Sequence, residues 1–565
     1  MKYVYIENIV QLINSDVINE IRKAKEIALD TETTGLDVFR CKLCLIQIAI
    51  PEVGIYILNV FKMGNSVIQK VRDALNESEA VLVIHNSKFD LKVLHLAGIE
   101  IKNDIYDTML AEQTLNHSND FNGYKLADIV ERYLGITLDK TEQSSDWTLT
   151  LTKNQINYAG KDVEYLCSIK SMQLSEAENV GLVDTIQLEN QVVKATYKME
   201  LTGIMFHKEL AKKYMKQMSY ELKEVQKNIQ NAIPSVLNPN STRQLLQGLE
   251  WMGVPIISTE KSELKKYASE CPVIEDILKY RKIVKNISTF EKLLQSINRK
   301  TNRIHASFNQ NTTVTGRYSC SKPNLQGIPH DKRFRQCFVA SEGCSLVICD
   351  YSQMELRIVA DMADEAMMIQ IFNEEKDIHR LTASLVNGCP YEVVTDEDRS
   401  GAKALNFGLI YGIGINSFID YAQDNYGVTL TYGEAKYRVQ QFFINYKGIG
   451  KRINILLEKP DNEERTLSGR RRKWDRMPPI TERANFGVQG TGADILKIAL
   501  VEIDRTLLTN PNIKLVSTIH DEVILEVKTD IAQELKCIME EAGNRFIKKV
   551  PIIAEVSIGH DWSAK

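Results

Sequence analysis

The sequence predicts two units, an N-terminal α/β unit followed by a longer α+β unit rich in helix. The first observation is length: 565 residues exceed the roughly 250–300 that one hydrophobic core sustains. The second is an alternation of strand and helix signals through about residue 170, the pattern of an α/β unit. The third is a change near residue 173 to long, Lys/Glu/Gln-rich amphipathic stretches reaching residue 300, with strand runs returning at Ser345–Asp350 and Lys514–Val527.

Taken in order, Glu26–Leu29, Leu43–Ile50, Gly54–Leu58 and Ala80–His85 read as strands, each a short apolar run. Val67–Leu75, Lys88–Leu96 and Lys153–Met172 carry helical periodicity. The helical region beyond is broken at Pro234–Asn238 and Met252–Pro255. The signal fades between about 170 and 185, which places the joint between the units there.

Composition excludes several classes. A hydrophobic fraction of 44% with 25% charged residues is that of a globular chain, not a disordered one. No apolar run approaches the roughly 18 residues of a membrane span. The start Met1-Lys2-Tyr3-Val4-Tyr5 has the build of neither a signal nor a transit peptide. Ten dispersed cysteines do not make a disulfide scaffold, so reduced thiols in a cytoplasmic protein are expected. Cys41-x-x-Cys44 has no second ligand pair and reads as two half-buried thiols rather than half a zinc site. The net charge of −4 announces no nucleic acid. Locally, residues 279–300 hold seven Lys/Arg against one acid, and Arg470–Lys473 is unbroken basic; each fits a solvated face or a phosphate contact.

Chemistry concentrates in two carboxylate sets. Ile27-Ala28-Leu29 runs into Asp30-Thr31-Glu32, and residues two apart on a strand share a face, so Asp30 and Glu32 aim together. Close carboxylates repel unless a proton or cation lies between them. Alone the pair also fits an ordinary turn. Asp90, after the fourth strand, and Tyr158-x-x-x-Asp162, on one helical face, add two acids and a phenol. Such a group can hold two Mg²⁺ or Mn²⁺ ions about 4 Å apart, which clamp a phosphodiester and turn bound water into hydroxide.

The second set begins where Ser345–Cys349 ends in Asp350-Tyr351-Ser352-Gln353-Met354-Glu355-Leu356-Arg357. Downstream, Leu515–Ile519 and Val523–Val527 flank His520-Asp521-Glu522, leaving room only for a tight hairpin with an acidic tip. Between them Arg399, Lys403, Phe407 and Tyr411 fall four apart on one helical stripe. Adjacent like charges and the glycines Gly401 and Gly408 burden that helix. A triphosphate would neutralise the cations and a base would stack on the rings; a solvated basic end of an amphipathic helix fits the same residues.

Asp30-x-Glu32, Asn86-x-x-x-Asp90 and Tyr158-x-x-x-Asp162 resemble the three motifs of the DEDD-type 3′→5′ exonucleases, which have a ribonuclease H-like fold. The resemblance implies that Asp30, Glu32, Asp90 and Asp162 bind metal, that Tyr158 with Glu32 positions the attacking water, and that Asp107 shapes the site. Asp350–Arg357, Arg399–Gly412 and His520-Asp521-Glu522 resemble motifs A, B and C of the family A DNA polymerases, the class of bacterial DNA polymerase I. Thr315–Ser319, Pro323–Gln326, Tyr280-Arg281 and Ser241-x-x-Gln244-Leu245 fit the same family.

That resemblance implies an exonuclease domain at 1–175 and a right-hand polymerase domain at 176–565, with thumb about 205–300, palm about 301–360 and 481–565, and fingers about 361–480. Asp350 and Asp521 would hold two Mg²⁺ ions with Glu522 nearby; Arg399, Lys403 and His379 would contact the triphosphate, Lys403 protonating the leaving group. Glu355 would exclude a ribose 2′-OH, and Phe407 and Tyr411 would flank sugar and base pair, with Gln353 part of the nucleotide site. Phe407 rather than Tyr implies discrimination against dideoxynucleotides. Arg317, Asn485, Gln489, His520 and Arg281 would touch DNA. The implied activity is template-directed addition of deoxynucleotides with proofreading, in replication or repair. The implied partners are primer-template DNA and dNTPs, a monomer with no membrane, and a 5′ flap nuclease and helicase as separate proteins.

Two stretches depart from the family pattern. Gly327 replaces an Asn, with His330-Asp331-Lys332 following, and Thr481 stands where an Arg is common, with Arg483 offset by two. No 5′-nuclease region precedes the exonuclease motifs, so the expected form is that of a large fragment alone.

Overall fold

The computed structural model describes residues 3–117, 123–143, 145–329 and 331–565; His330 therefore lies outside the described residues. The first unit is built on a six-stranded mixed sheet in the order Tyr3–Ile6, Gly54–Asn59, Leu43–Ile50, Glu26–Thr33, Val81–Ile84, Ile105–Asp107. Leu43–Ile50 reads as an apolar run broken only by Gln47 because its residues beyond Leu43 are buried on both faces of that sheet. Its neighbour Glu26–Thr33 is longer than the apolar signal, because the ladder continues through Asp30 and Glu32 to Thr33. Helix Lys88–Leu96 has the predicted bounds, whereas the span from Lys153 divides at Tyr165 into Lys153–Glu164 and Leu166–Val180.

The joint is not the weak link that the fading pattern suggests. Helices Leu166–Val180 and Val183–Thr202 are separated only by Gly181, in the left-handed region at φ 66°, and Leu182. Val193 and Tyr197 pack into the core of the first unit, while Val192, Ala195 and Met199 pack into that of the second. A helix buried on two sides keeps only a narrow polar stripe, here Asp184, Gln187, Gln191, Lys194 and Lys198.

In the second unit an antiparallel sheet runs Ile513–Ile519, Glu522–Val527, Ser345–Tyr351, Ala554–Gly559. The strand run at Lys514–Val527 is a hairpin, and register sets Asp350 directly opposite Glu522. Helix Ile480–Thr506 packs against the helix Met354–Met362 and against Ala532–Asn544, closing that core. The long helices Lys208–Ala232 and Val273–Gln295 pack on each other as one projection, and Ile378–Asn387 and Asp396–Leu409 pack together in another. Among the described residues no helix is long and apolar enough to cross a membrane.

A buried ionic cluster joins the units. Arg470, 1% exposed, donates from Nε to Asp494 Oδ1 at 2.8 Å and from Nη1 to Asn311 Oδ1 at 2.8 Å, and it pairs with Glu189 through Nη2. Lys497 also pairs with Glu189, whose Oε2 accepts from Gln310 Nε2 at 2.8 Å. The basic run Arg470–Lys473 is thus neither a solvated face nor a phosphate contact at its first residue, and Arg472 is buried too, while Arg471 donates to the Leu115 carbonyl at 3.2 Å. Lys88 and Lys92 clasp Glu200 at 2.8 and 2.7 Å, tying a helix of the first sheet to Val183–Thr202. Removing one partner of a buried pair strands the other charges. We predict that Glu189→Ala lowers the unfolding free energy by about 3–5 kcal/mol, read as a shifted urea midpoint, with a change within about 0.5 kcal/mol counting against this role.

Candidate active sites

The first centre lies at the end of Glu26–Thr33. Carboxylate oxygens of Asp30, Glu32 and Asp162 come within 4.8 Å of one another, with Asp162 supplied by helix Lys153–Glu164. That helix begins with a capping box at Thr152 and Gln155, which fixes the turn from which Tyr158 and Asp162 project. Asp90 stands outside that trio: it is buried and its Oδ1 accepts from Thr31 Oγ1 at 2.6 Å. The turn that carries it is held by Asp107, which accepts from the backbone of Asn86 and Ser87 at 3.1 and 2.7 Å and caps helix Thr108–Leu115. Burial and mutual repulsion push Glu32 up to about 9; burial, with the Asp107 carboxylate adding and the Thr31 hydrogen bond opposing, pushes Asp90 up to about 7; Asp30 is raised well above the usual range by burial and by Asp90.

The second centre sits on the four-stranded sheet. Asp350 ends the central strand, and Asp521 lies at the hairpin tip beside His520, whose φ of 58° makes the tight turn. Burial, then the Asp350 carboxylate, pushes Asp521 up to about 7. Glu522 is held at both oxygens: Trp562 Nε1 donates to Oε1 at 2.6 Å, and Lys565 Nζ to Oε2 at 3.1 Å. Lys565 also pairs with Asp350. Around it, Glu355 accepts from both Arg317 and the Tyr411 hydroxyl, and Gln353 takes the left-handed backbone, φ 54°, that starts helix Met354–Met362. The first centre is a hard oxygen cluster whose repulsion a divalent cation relieves, so its residues fit such an ion; the second gathers the same type of donor in Asp350, Asp521 and Glu522, with Lys565 paired to two of them.

Residues 3–172 match the family described as 3′-5′ exonuclease, and residues 208–564 the family described as DNA polymerase family A. The chain belongs to DNA polymerase family A. It is 33% identical to DNA polymerase I of Aquifex aeolicus (strain VF5), over 97% of each chain. It is 30% identical to DNA polymerase I of Borreliella burgdorferi, covering 100% of this chain and 64% of that one. Of the thermostable DNA polymerase I of Thermus aquaticus it spans less than half, 47%, at 33% identity over 65% of this chain. A solved structure described as the POL domain of Pol1 from M. smegmatis, in complex with DNA primer-template and dNTP, has the same fold, with a TM-score of 0.85 over 97% of this chain and 98% of that one at 22% identity. The protein is thus a DNA-directed DNA polymerase carrying a 3′→5′ exonuclease domain, and both catalytic units belong to divalent-metal enzyme classes.

In the polymerase, helix Asp396–Leu409 carries Arg399, Lys403 and Phe407 on one stripe, but Tyr411 is beyond its end, in the turn before Gly412 at φ 75°. Leaving the helix is what lets the Tyr411 hydroxyl reach Glu355. Arg399 Nε donates to Asp377 Oδ2 at 2.6 Å, and Asp377 caps the helix that bears His379. His379 is buried; desolvation and the cations Arg399 and Lys403 push it down to about 4, so it is a neutral imidazole with Nδ1 facing Asn406 Nδ2 at 2.9 Å. Asn485 and Gln489 lie half-buried on one face of Ile480–Thr506. Two arginines are engaged elsewhere. Arg281 donates to the Thr259 carbonyl and, at 2.9 Å, to its hydroxyl. Arg483 is buried, donating to the carbonyls of Leu456 and Lys459 at 2.9 and 3.0 Å, so the offset arginine braces a loop instead of facing the helix's exposed side.

The sequence reading missed Lys140, Trp562 and Lys565. Lys140 Nζ donates to Asp162 Oδ1 at 2.6 Å and stands 5.1 Å from the centre of the Tyr158 ring. Each lies in an irregular segment with no periodic signal, and only proximity in space reveals it.

Asp30, Glu32, Asp90 and Asp162 in the first centre, and Asp521 and Glu522 in the second, bind protons more tightly folded than unfolded. Between about pH 4 and their raised values the folded state holds more protons, so stability falls as pH rises through that window. We predict that the melting temperature in EDTA drops from about pH 5.5 to about pH 8.5, and that Mg²⁺ restores it chiefly at the higher pH. Scanning fluorimetry with and without Mg²⁺ checks this; an ion effect equal at both pH values would overturn it.

Proposed function

We propose that the enzyme extends a primer 3′-OH on a DNA template at the Asp350/Asp521 centre and trims mispaired ends at the Asp30/Glu32/Asp162 centre, using Mg²⁺, with Mn²⁺ able to substitute. The observation that carries this reading is the pair of separate carboxylate clusters in one chain, one of them beside Glu355 held by Arg317 and Tyr411. Ions at these clusters supply Lewis-acid activation of a hydroxyl or water and charge neutralisation at phosphate oxygens.

The chain's own residues do the rest. Asp350 and Asp521 present oxygens from a strand end and a hairpin tip, positions fixed by the Asp350–Glu522 register. Arg399 and Lys403 offer cations to a triphosphate, Lys403 gives a proton to the leaving pyrophosphate, and the neutral His379 can donate from Nε2. Glu355, fixed at both oxygens, stands as a wall against a 2′-OH, with Phe407 beside the sugar. Arg317, Asn485, Gln489 and His520 contact the primer end and minor groove, whose acceptors are similar for every correct pair. In the other centre Tyr158 and Glu32 orient the attacking water, and Asp90 completes the ion-binding acids. The domains divide as exonuclease 1–175 and polymerase 176–565, with thumb, palm and fingers at the boundaries given above. The strand's end moves between centres, and a mismatch that slows extension leaves time for fraying.

Primer extension tests the assignment. With matched and 3′-mismatched labelled primers, Asp350→Ala is expected to lose extension by at least about 10³-fold and still degrade, and Asp30→Ala to extend matched primers yet leave mismatches untrimmed. Retained extension in Asp350→Ala would sink the proposal. Glu355→Ala is expected to raise ribonucleotide incorporation at least about tenfold relative to dNTP use, with unchanged discrimination counting against the wall.

A further inference from the structure

Gln47 is fully buried at the middle of the strand Leu43–Ile50, and neither its Nε2 nor its Oε1 has a partner among the described residues. The ladder sets it directly opposite Asp30 on one side and Ile57 on the other. Directly opposed residues in an antiparallel pair point to the same face, with Cβ atoms about 4.5–5.5 Å apart. That face is covered by helix Lys153–Glu164: Leu45 and Ile57, which flank Gln47 on it, pack with Tyr158 and Ala159. The amide therefore lies beside Asp30 and beneath the helix that brings Asp162 to the same centre.

An amide is a poor choice for this position as packing alone. Apart from Asp30, its flanking residues Leu45 and Ile57 are apolar, and a buried amide without partners destabilises the fold. A donor and an acceptor kept together beside a carboxylate cluster suit hydrogen-bonding to what that cluster holds. We infer that Gln47 is a positioning residue of the exonuclease centre, its amide orienting the water shell of the divalent ion that Asp30 binds. The inference rests on the exonuclease reading of that centre. Outer-shell partners of this kind are worth about 10–100-fold in metal affinity or activity.

The test uses the full chain in an Asp350→Ala background, so that the polymerase centre contributes little to ion binding. Mn²⁺ alone is titrated and followed by electron paramagnetic resonance, alongside melting temperature and trimming of single-stranded DNA. Gln47→Leu and Gln47→Met are compared with their parent and with Asp30→Ala. Expected are Mn²⁺ binding and trimming each about 10–100-fold weaker, with a melting temperature unchanged or higher because an unpartnered amide has left the core. If Asp30→Ala abolishes Mn²⁺ binding and trimming but both Gln47 variants match their parent, the amide is only a core residue and the inference fails. If Asp30→Ala itself leaves trimming intact, it is the exonuclease reading of the centre that fails.

Discussion

The arrangement of the molecule depends on the balanced buried cluster of Glu189, Asp494, Arg470 and Lys497. Two acids and two bases are withdrawn from water, so each is tolerable only while all four stay together. Glu189 comes from the helix that bridges the units, Arg470 from a hairpin of the second unit, and Asp494 and Lys497 from the helix that carries Asn485 and Gln489. Three segments distant in sequence are thereby held in one relative position. The Lys88–Glu200–Lys92 clasp repeats the device on the helix that bears Asp90. The two carboxylate centres are thus mounted on a common frame.

Both sites also answer the same electrostatic problem in the same way. Gathering carboxylates at strand ends costs energy through desolvation and repulsion, and the raised proton affinities of Glu32 and Asp521 express that cost. In each centre a lysine relieves part of it, Lys140 at Asp162 and Lys565 at Asp350 and Glu522. These ammonium groups set positive charge beside the gathered acids and so reduce the repulsion among them. Trp562 adds a neutral hydrogen bond that orients Glu522.

Around Glu355 the structure is built from contacts that cross elements. Glu355 is fixed by Arg317 from one segment and Tyr411 from another, and Arg317 follows Gly316, where a side chain would collide with the Arg470 guanidinium 2.7 Å away. The loop that supports Glu355 therefore packs directly on the ionic cluster at the junction. The Thr313 carbonyl of the same loop accepts from His117 of the exonuclease unit at 2.6 Å, so the two halves meet in the loop that leads to Arg317.

The sequence by itself determined the two-unit order, the strand Leu43–Ile50, the strand run Ser345–Asp350, the helix Lys88–Leu96 and the spacing of both acidic sets. These are local properties: strand and helix periods and residues two or four apart depend only on the adjacent chain. The tertiary structure alone decided which acids meet, why Asp90 stands apart from the trio, and that Arg470 and Arg483 serve the interior although they read as surface cations. It also decided that the bridging helix Val183–Thr202 packs into the cores of both units, and that Lys140, Trp562, Lys565 and Gln47 stand beside the carboxylates. The reason is physical: a charge or an amide gains its role from partners that folding brings from 22 to 308 residues away, as between Lys140 and Asp162 or Glu189 and Lys497, and nothing in the neighbouring sequence encodes that distance.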